Sequence, residues 1–205
     1  MSISETLREQ IALSLFDIGS IQLGKYKFQG GRTARLYLDL RLIVSFPETL
    51  RLVSKGYQAM LEGISFDILA AQPVAGLPIC TALSLEMNVP MIYPRKTARS
   101  YGTGKSVEGI WEVGQTAVIV DDVIQTGESI LQGTVSLKTA GIQVRDAVVL
   151  IDRENPTAKS LFAQEYRLHS LFTVSSLLSI LEENGRITQK QLNKVLKSFQ
   201  AESSS

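Results

Sequence analysis

The sequence predicts an α/β fold in which helices flank a central five-stranded parallel sheet. From about residue 66 onward, short apolar runs rich in β-branched residues alternate with stretches of helical periodicity. This alternation is typical of a parallel sheet with helices on both faces. The 205 residues suffice for one domain with a substantial core. We therefore expect a single domain whose functional residues follow the carboxyl ends of the strands.

The N-terminal part of the chain does not follow this alternation. A capping box formed by Ser2 and Glu5 is expected to begin an amphipathic helix that ends at Gly19. Two short strands, at 26–28 and 36–40, are expected to form a hairpin around a pair of glycines. This part is therefore predicted to lie beside the main sheet.

The remaining elements are predicted from apolar runs and from helix start and stop signals. The five strands are expected at 66–71, 89–93, 116–120, 147–151 and 168–173. Helices are expected at 47–62, 157–164, 175–183 and 188–199. One further helix is expected to begin near Pro78, and another, after the third strand, is expected to end at Ala140.

Composition argues against several classes of function. The net charge of +1 gives no electrostatic basis for binding nucleic acid or a membrane. One cysteine, Cys80, excludes an internal disulfide, and one histidine, His169, cannot complete a usual zinc cluster with it. We expect Cys80 to be a core residue and His169 to lie on a strand. The polar N-terminus and the lack of a long apolar run predict a cytoplasmic protein.

The stretch TAVIVDDVIQTGES, residues 116–129, carries the strongest functional signal. It reads as a buried strand, then Asp121 and Asp122, then a small polar loop that opens a helix. A loop at a helix N-terminus presents unpaired N–H groups to a phosphate, and Gly127 permits its close approach. The two carboxylates are acceptors for sugar hydroxyls. A phosphorylated sugar is the predicted ligand, and an ordinary strand–turn–helix corner is the alternative.

A long basic loop, residues 93–115, is predicted between the second and third strands. It contains Arg95, Lys96, Arg99 and Lys105 together with several glycines. Connections of this length are uncommon unless they act as lids or binding loops. Positive charge on a mobile loop suits a pyrophosphate leaving group, and a solvated basic loop is the alternative.

These motifs together resemble a known family. VIVDDVIQTGES resembles the phosphoribosyl-diphosphate (PRPP) signature of type I phosphoribosyltransferases. The wider pattern is similar to orotate phosphoribosyltransferase, as a free enzyme or as the N-terminal domain of UMP synthase. The supporting segments, in family order, are LYLDLRLIVSFP, GISFDILAAQPVAGLPICTAL, YPRKTARSYGTGKSVEGIWEVGQ and VVLIDRE. The resemblance runs over residues 16–183. It implies a type I phosphoribosyltransferase fold with a small N-terminal hood (1–45), a core (46–183), C-terminal helices (175–205) and a long flexible basic loop.

The resemblance also implies a reaction and its site. Phosphoribosyl would pass from PRPP to orotate, giving orotidine 5′-monophosphate and pyrophosphate, with Arg99 and Asp122 as catalytic residues. Orotate would contact Tyr37, Gln125 and Arg153. PRPP would contact Arg95, Lys96, Arg99, Tyr101, Asp121, Asp122, Val123, Ile124, Gln125, Thr126, Gly127, Glu128 and Ser129.

The same resemblance implies a cofactor and a partner. Mg²⁺ would be held mainly by PRPP oxygens and water rather than directly by the protein. A homodimer is expected, with loop 95–115 closing over the neighbouring subunit.

The chain departs from the family pattern at several positions. Gln29 replaces a lysine, Ala75 replaces a polar residue, Arg99 replaces the loop lysine and Gln125 replaces a threonine. These changes leave two alternatives open. One is a phosphoribosyltransferase that uses another base, and the other is a PRPP-binding protein with little or no orotate activity and a regulatory or binding role.

Overall fold

The structure is a computed structural model that describes residues 3–27, 33–95, 106–156, 158, 160 and 166–202. Its helices are α1 (Glu5–Asp17), α2 (Pro47–Leu61), α3 (Gly76–Met87), α4 (Glu128–Thr139), α5 (Val174–Glu183) and α6 (Gln189–Glu202). Its strands are β1 (Ile21–Lys27), β2 (Thr33–Leu38), β3 (Ile68–Ala71), β4 (Met91–Pro94), β5 (Val107–Glu108), β6 (Thr116–Ile124), β7 (Gln143–Asp152) and β8 (Arg167–Thr173).

The main sheet has the strand order β5–β4–β3–β6–β7–β8. The five predicted strands β4, β3, β6, β7 and β8 are parallel, as expected. The prediction did not include β5, which pairs antiparallel with β4 through Tyr93–Glu108 and Pro94–Val107. A two-residue edge strand contains no apolar run, so its sequence carries no strand signal.

Alternate residues of the central strands enter two cores on opposite faces of the sheet. Leu69 and Ala71 of β3 belong to the core that contacts α1, α2, α3 and α5. Ile68 and Ala70 belong to the other core, which α4 covers. Cys80 lies in the first core, where burial raises the pKa of its thiol to about 12. It is a core residue, as predicted.

The N-terminal elements differ from the prediction in their bounds. Helix α1 is capped by Ser4, whose Oγ accepts a hydrogen bond from the Leu7 N–H at 3.2 Å, so the predicted cap at Ser2 is wrong. β1 and β2 form the predicted antiparallel hairpin, but its turn at 28–32 lies outside the described residues. Leu40 begins a 3-10 helix, Leu40–Ser45, instead of ending a strand.

The helix positions largely agree with the sequence. Helix α2 begins at Pro47 as predicted, and α3 begins at Gly76, two residues before the predicted start. The helix predicted at 157–164 falls mostly outside the described residues. Within the described part of the chain, no helix is both long and apolar enough to cross a membrane.

A cluster of three polar side chains, Asp146, Arg167 and His169, joins β7 and β8 near their amino ends. The Asp146 side chain is 4% exposed and accepts two hydrogen bonds from Arg167, at 2.8 and 2.7 Å. His169 Nε2 lies 2.8 Å from Asp146 Oδ1, which places His169 on a strand as predicted. Burial opposes ionisation of Asp146, but hydrogen bonds from Arg167 and His169 outweigh it and lower its pKa. The ionised carboxylate therefore stabilises the edge of the sheet.

We expect Asp146→Asn to lower the free energy of unfolding at pH 7 by about 1–2 kcal/mol, because it removes the charge of a buried carboxylate that accepts hydrogen bonds from the exposed Arg167. A lowered native pKa contributes stability above the unfolded value of about 4 and loses it as pH falls through the native value. The difference between wild type and variant should therefore shrink in acid. Urea unfolding at pH 7 and below pH 4 measures it. Asp17→Asn, which removes an exposed pair with Arg186, is the matched control and should have little effect. Equal losses for both variants would contradict the role given to Asp146.

Candidate active site

The acidic pair lies inside strand β6 rather than after it. The strand was predicted to end at Val120, but it continues to Ile124 because β7 extends beside it and pairs Ile124 with Asp152. On the other side, β3 stops at Ala71. Asp121 is 6% exposed, whereas Asp122 is half-buried. The carboxylates therefore lie where β6 loses its neighbour β3 but keeps β7.

Neighbouring groups fix the position of Asp121. Its Oδ1 accepts a hydrogen bond from the Asp122 N–H at 2.9 Å, and Ser129 Oγ lies 3.5 Å from its Oδ2. The Tyr57 hydroxyl donates to the Asp121 main-chain carbonyl at 2.5 Å. Burial, with the two nearby carboxylates, raises the pKa of Tyr57 well above its ordinary value and keeps this donor neutral. Helices α2 and α4 thus both hold the end of β6.

Burial disfavours the charged form of both carboxyls. It raises the pKa of Asp121 to about 8, and the charge of Asp122 adds to the effect. Burial also raises the pKa of Asp122, although hydrogen bonds and the charge of Arg41 oppose the increase. Such a pair is stabilised by a ligand that offers hydroxyl donors or positive charge.

Helix α3 meets β6 at the same point through Gly76. A Cβ atom on Gly76 would lie 2.6 Å from the Val120 carbonyl oxygen and 3.3 Å from Asp121 Cα. The preceding turn contains a cis peptide bond between Pro73 and Val74. Only glycine, which has no Cβ, permits this close approach of α3 to β6. The approach brings the start of α3 to the acidic pair.

The loop after β6 has the predicted form. Gly127 has φ +83° and directly precedes α4, so its backbone adopts a conformation that favours glycine. Gln125, Thr126 and Ser129 are exposed, and so is Glu128. The first N–H groups of α4 therefore open onto a loop of small and polar side chains.

Two predicted PRPP-binding residues have their side chains in the cores. Ile124 is buried beneath α4, and Val123 packs against the core on the other face. A ligand would meet Ile124 only through its backbone, whereas the Val123 side chain is partly exposed.

The 3-10 helix Leu40–Ser45, which follows β2, brings a cation to the site that the sequence reasoning missed. Arg41 donates from Nε to Asp39 Oδ1 at 2.8 Å and from Nη2 to the Tyr37 hydroxyl at 3.0 Å. Its charge acts on Asp122, as described above. Tyr37 also lies 5.3 Å from the Tyr26 ring, measured between centroids. The short spacing of Tyr37, Asp39 and Arg41 in the segment LYLDLR was the available signal, because side chains so close in sequence can contact one another.

Arg153 follows β7, and its N–H donates to the Ile124 carbonyl at 3.0 Å. Its guanidinium carbon lies 5.4 Å from the centroid of the Phe199 ring on α6. Phe199 was also missed, because the sequence does not show that a residue 46 positions later packs on Arg153. The C-terminal helix therefore reaches the predicted base-binding arginine.

The basic loop is partly ordered by a strand pair. The Arg95 N–H donates to the Ser106 carbonyl at 2.8 Å, and the Arg95 side chain forms an ion pair with Glu108. The expectation of one continuous loop over 93–115 is thus wrong at β5. Lys96, Arg99 and Tyr101 lie outside the described residues, as does Gln29. Their predicted roles stay predictions.

Comparison with known proteins agrees with this geometry. Residues 51–170 match the family model described as "Phosphoribosyl transferase domain". The orotate phosphoribosyltransferase of Chlamydia pneumoniae is 32% identical over 202 residues, which cover 96% of each chain. The bifunctional enzyme PyrF/PyrE of Nostoc is 39% identical over 88% of this chain, but the match spans only 38% of that protein.

Solved structures agree in fold. The UMP synthase of Leishmania donovani matches with a TM-score of 0.86 and 32% identity, over 97% of this chain and 43% of that one. The orotate phosphoribosyltransferase of Aeropyrum pernix matches with a TM-score of 0.72 and 28% identity, over 87% of this chain and 99% of that one. This chain belongs to the phosphoribosyl transferase family, in the branch of the orotate phosphoribosyltransferases.

Proposed function

We propose that this protein is an orotate phosphoribosyltransferase, which joins PRPP and orotate to give orotidine 5′-monophosphate and pyrophosphate. The observation that carries the proposal is the buried carboxylate pair at the end of β6. It lies directly before a glycine-opened helix, in a chain that is 32% identical to a full-length orotate phosphoribosyltransferase. The chain spans about two fifths of its bifunctional relatives, 38% in one case and 42% in another.

In this proposal the ribose of PRPP is held by Asp121 and Asp122. Its two ring hydroxyls donate to these carboxylates, of which Asp121 is buried and Asp122 is half-buried. The 5-phosphate is held by the N–H groups at the start of α4 and by the hydroxyls of Thr126 and Ser129. Gly127 supports this assignment because its positive φ turns the backbone towards the helix start.

The base lies at the hood side of the same site. Arg153 pairs with the carboxylate of orotate, and Tyr37 lies beside the ring. Gln125 follows the end of β6 and is exposed, so its amide can hydrogen-bond to the base. Arg41 is a further cation on this side, held towards Tyr37 by the hydrogen bond described above.

The reaction needs little proton transfer. The lone pair on the ring nitrogen of anionic orotate forms the bond to C1 of the ribose, and the C1–O bond pair leaves with pyrophosphate. Positive charge develops on the ribose, where Asp122 can stabilise it, and negative charge develops on the leaving group. The basic loop with Arg99 stabilises the leaving group, and positioning supplies much of the remaining rate enhancement. For Arg95 to contact pyrophosphate, its side chain must first leave the ion pair with Glu108.

The donor set also fits Mg²⁺ carried by the substrate. Among the described residues, no group of three potential metal ligands occurs, and the site offers Asp121 and Asp122. Mg²⁺ in phosphate-transfer sites is held by one or two carboxylates together with substrate phosphates and water. When bound, it would offset negative charge on pyrophosphate.

We also propose that the protein is cytoplasmic and forms a homodimer. In this dimer, loop 95–115 of each subunit closes over the neighbouring subunit. The resemblance supports this arrangement.

The direct test mixes the protein with Mg²⁺, PRPP and orotate. We expect orotate absorbance to fall while pyrophosphate appears in equal amount. PRPP binding without either signal would contradict the proposed activity and leave a PRPP-binding protein. Turnover with a different base would point instead to a related transferase.

We expect Asp122→Asn to lower kcat/KM for PRPP by about 100-fold, because the neutral amide loses the charged acceptor at the ribose. Cys80→Ala also changes a buried residue near β6 but lies in the apolar core, so it is the control. The steady-state rates of both variants should be compared after their folding is confirmed by circular dichroism. Small and equal effects would place the PRPP site elsewhere.

We expect Phe199→Leu to weaken orotate binding by roughly 3- to 10-fold, since a cation–π contact on Arg153 is worth about 0.5–2 kcal/mol. Phe199→Tyr keeps the ring and should bind orotate as the wild type does. Calorimetric titration with orotate and with uracil, which lacks the carboxylate, separates positioning of Arg153 from a general packing defect. The inference fails if both bases lose the same affinity.

A further inference from the structure

A second cleft lies between the N-terminal hairpin and the C-terminal helix. It has a volume of about 350 Å³ and is lined by residues of β1, β2 and α6. None of its lining residues belongs to the acidic pair, to the loop 125–129 or to the predicted base contacts. The cleft is therefore distinct in its residues from the proposed active site.

Three cations from three different elements line this cleft. They are Lys25 on β1, Arg35 on β2 and Lys194 on α6. Among the described residues, no carboxylate lines the cleft and no ion pair involves these three side chains. Converging like charges repel one another, and an anion that contacts all three would remove that repulsion.

The rest of the lining combines apolar surface with a polar amide. Leu23 is half-buried and supplies an apolar wall, whereas Val195 is 2% exposed and adds little surface. The Gln191 carboxamide oxygen accepts hydrogen bonds from the Thr188 N–H and hydroxyl, at 2.8 and 2.9 Å. This leaves the amide N–H groups of Gln191 as its donors towards a ligand.

We propose that this cleft binds a phosphate-bearing small molecule whose phosphate contacts Lys25, Arg35 and Lys194. Arginine and lysine are the usual phosphate-binding side chains, because they combine positive charge with several N–H donors. The volume lies at the lower end of the range for small-molecule sites, about 300–1,000 Å³. The apolar wall favours an organic phosphate over the bare ion.

Such a ligand would join two parts of the chain that are far apart in sequence. The hairpin and α6 contribute opposite walls, so the occupant bridges them. A ligand that binds only the folded chain raises the temperature of unfolding as its concentration rises. Binding is thus measurable without any enzyme assay.

Inorganic phosphate and ribose 5-phosphate are the probes, titrated by calorimetry at constant ionic strength. We expect two phosphate sites per chain, one in the cleft and one at the start of α4. Lys194→Glu should weaken the cleft site about ten-fold or more, because it places a negative charge against the phosphate. Lys197→Glu makes the same change in net charge on an exposed α6 residue outside the cleft lining, and should leave both sites intact.

Arg35→Ala is the second variant and should cause a similar loss of binding and of the phosphate-dependent rise in Tm. Tighter binding of ribose 5-phosphate at the Lys194-dependent site identifies an organic phosphate as the ligand class. Equal affinities show that the phosphate group alone is recognised there. Unchanged binding in Lys194→Glu and Arg35→Ala overturns the proposal, and so does an equal loss in Lys197→Glu. The result is independent of PRPP use, since the site at α4 is counted separately.

Discussion

The close approach of helix α3 to the backbone of β6 is the constraint on which the site depends. Gly76 lies where any side chain would collide with the Val120 carbonyl oxygen, at 2.6 Å from a Cβ. The Gln72 N–H donates to that same oxygen at 2.8 Å, so the turn after β3 is fixed to β6. The contact closes one side of Asp121, and the Tyr57 hydroxyl fixes its carbonyl. Without it, the acidic pair would be open to water.

This burial carries an energetic consequence. A carboxyl whose native pKa lies above its unfolded value of about 4 destabilises the fold as pH rises past that value. At neutral pH Asp121 and Asp122 therefore lower the stability of the empty protein, and the two apolar cores offset them. Asp146 has the opposite relation, since its lowered pKa adds stability at neutral pH. Asp121 and Asp122 thus destabilise the empty site, an effect that a bound ligand can offset. Asp146 instead stabilises the pairing of β7 with β8.

The sequence predicted those structural features that depend on one continuous segment of the chain. The apolar runs predicted all five parallel strands, and the signature stretch predicted a strand, a loop and a helix in that order. Gly127 was recognised as a point of close backbone approach, and it has φ +83° directly before α4. The extension of β6 to Ile124 was missed because it depends on β7 beside it. Arg41 was missed because Asp122, on which its charge acts, lies in another part of the chain, and Phe199 was missed because it packs on Arg153 from the C-terminal helix.

The central claim is that Asp121 binds the sugar of PRPP as an ionised carboxylate. Burial and the charge of Asp122 raise the pKa of Asp121 in the free protein, and a hydroxyl donor from the sugar favours its ionised form. PRPP binding should therefore release protons, which calorimetric titration in two buffers of different ionisation enthalpy measures. We predict net proton release on PRPP binding at pH 7 that is abolished in Asp121→Asn, and an affinity for PRPP that rises with pH through the raised pKa. No proton release in the wild type, or the same release in Asp121→Asn, would contradict the account.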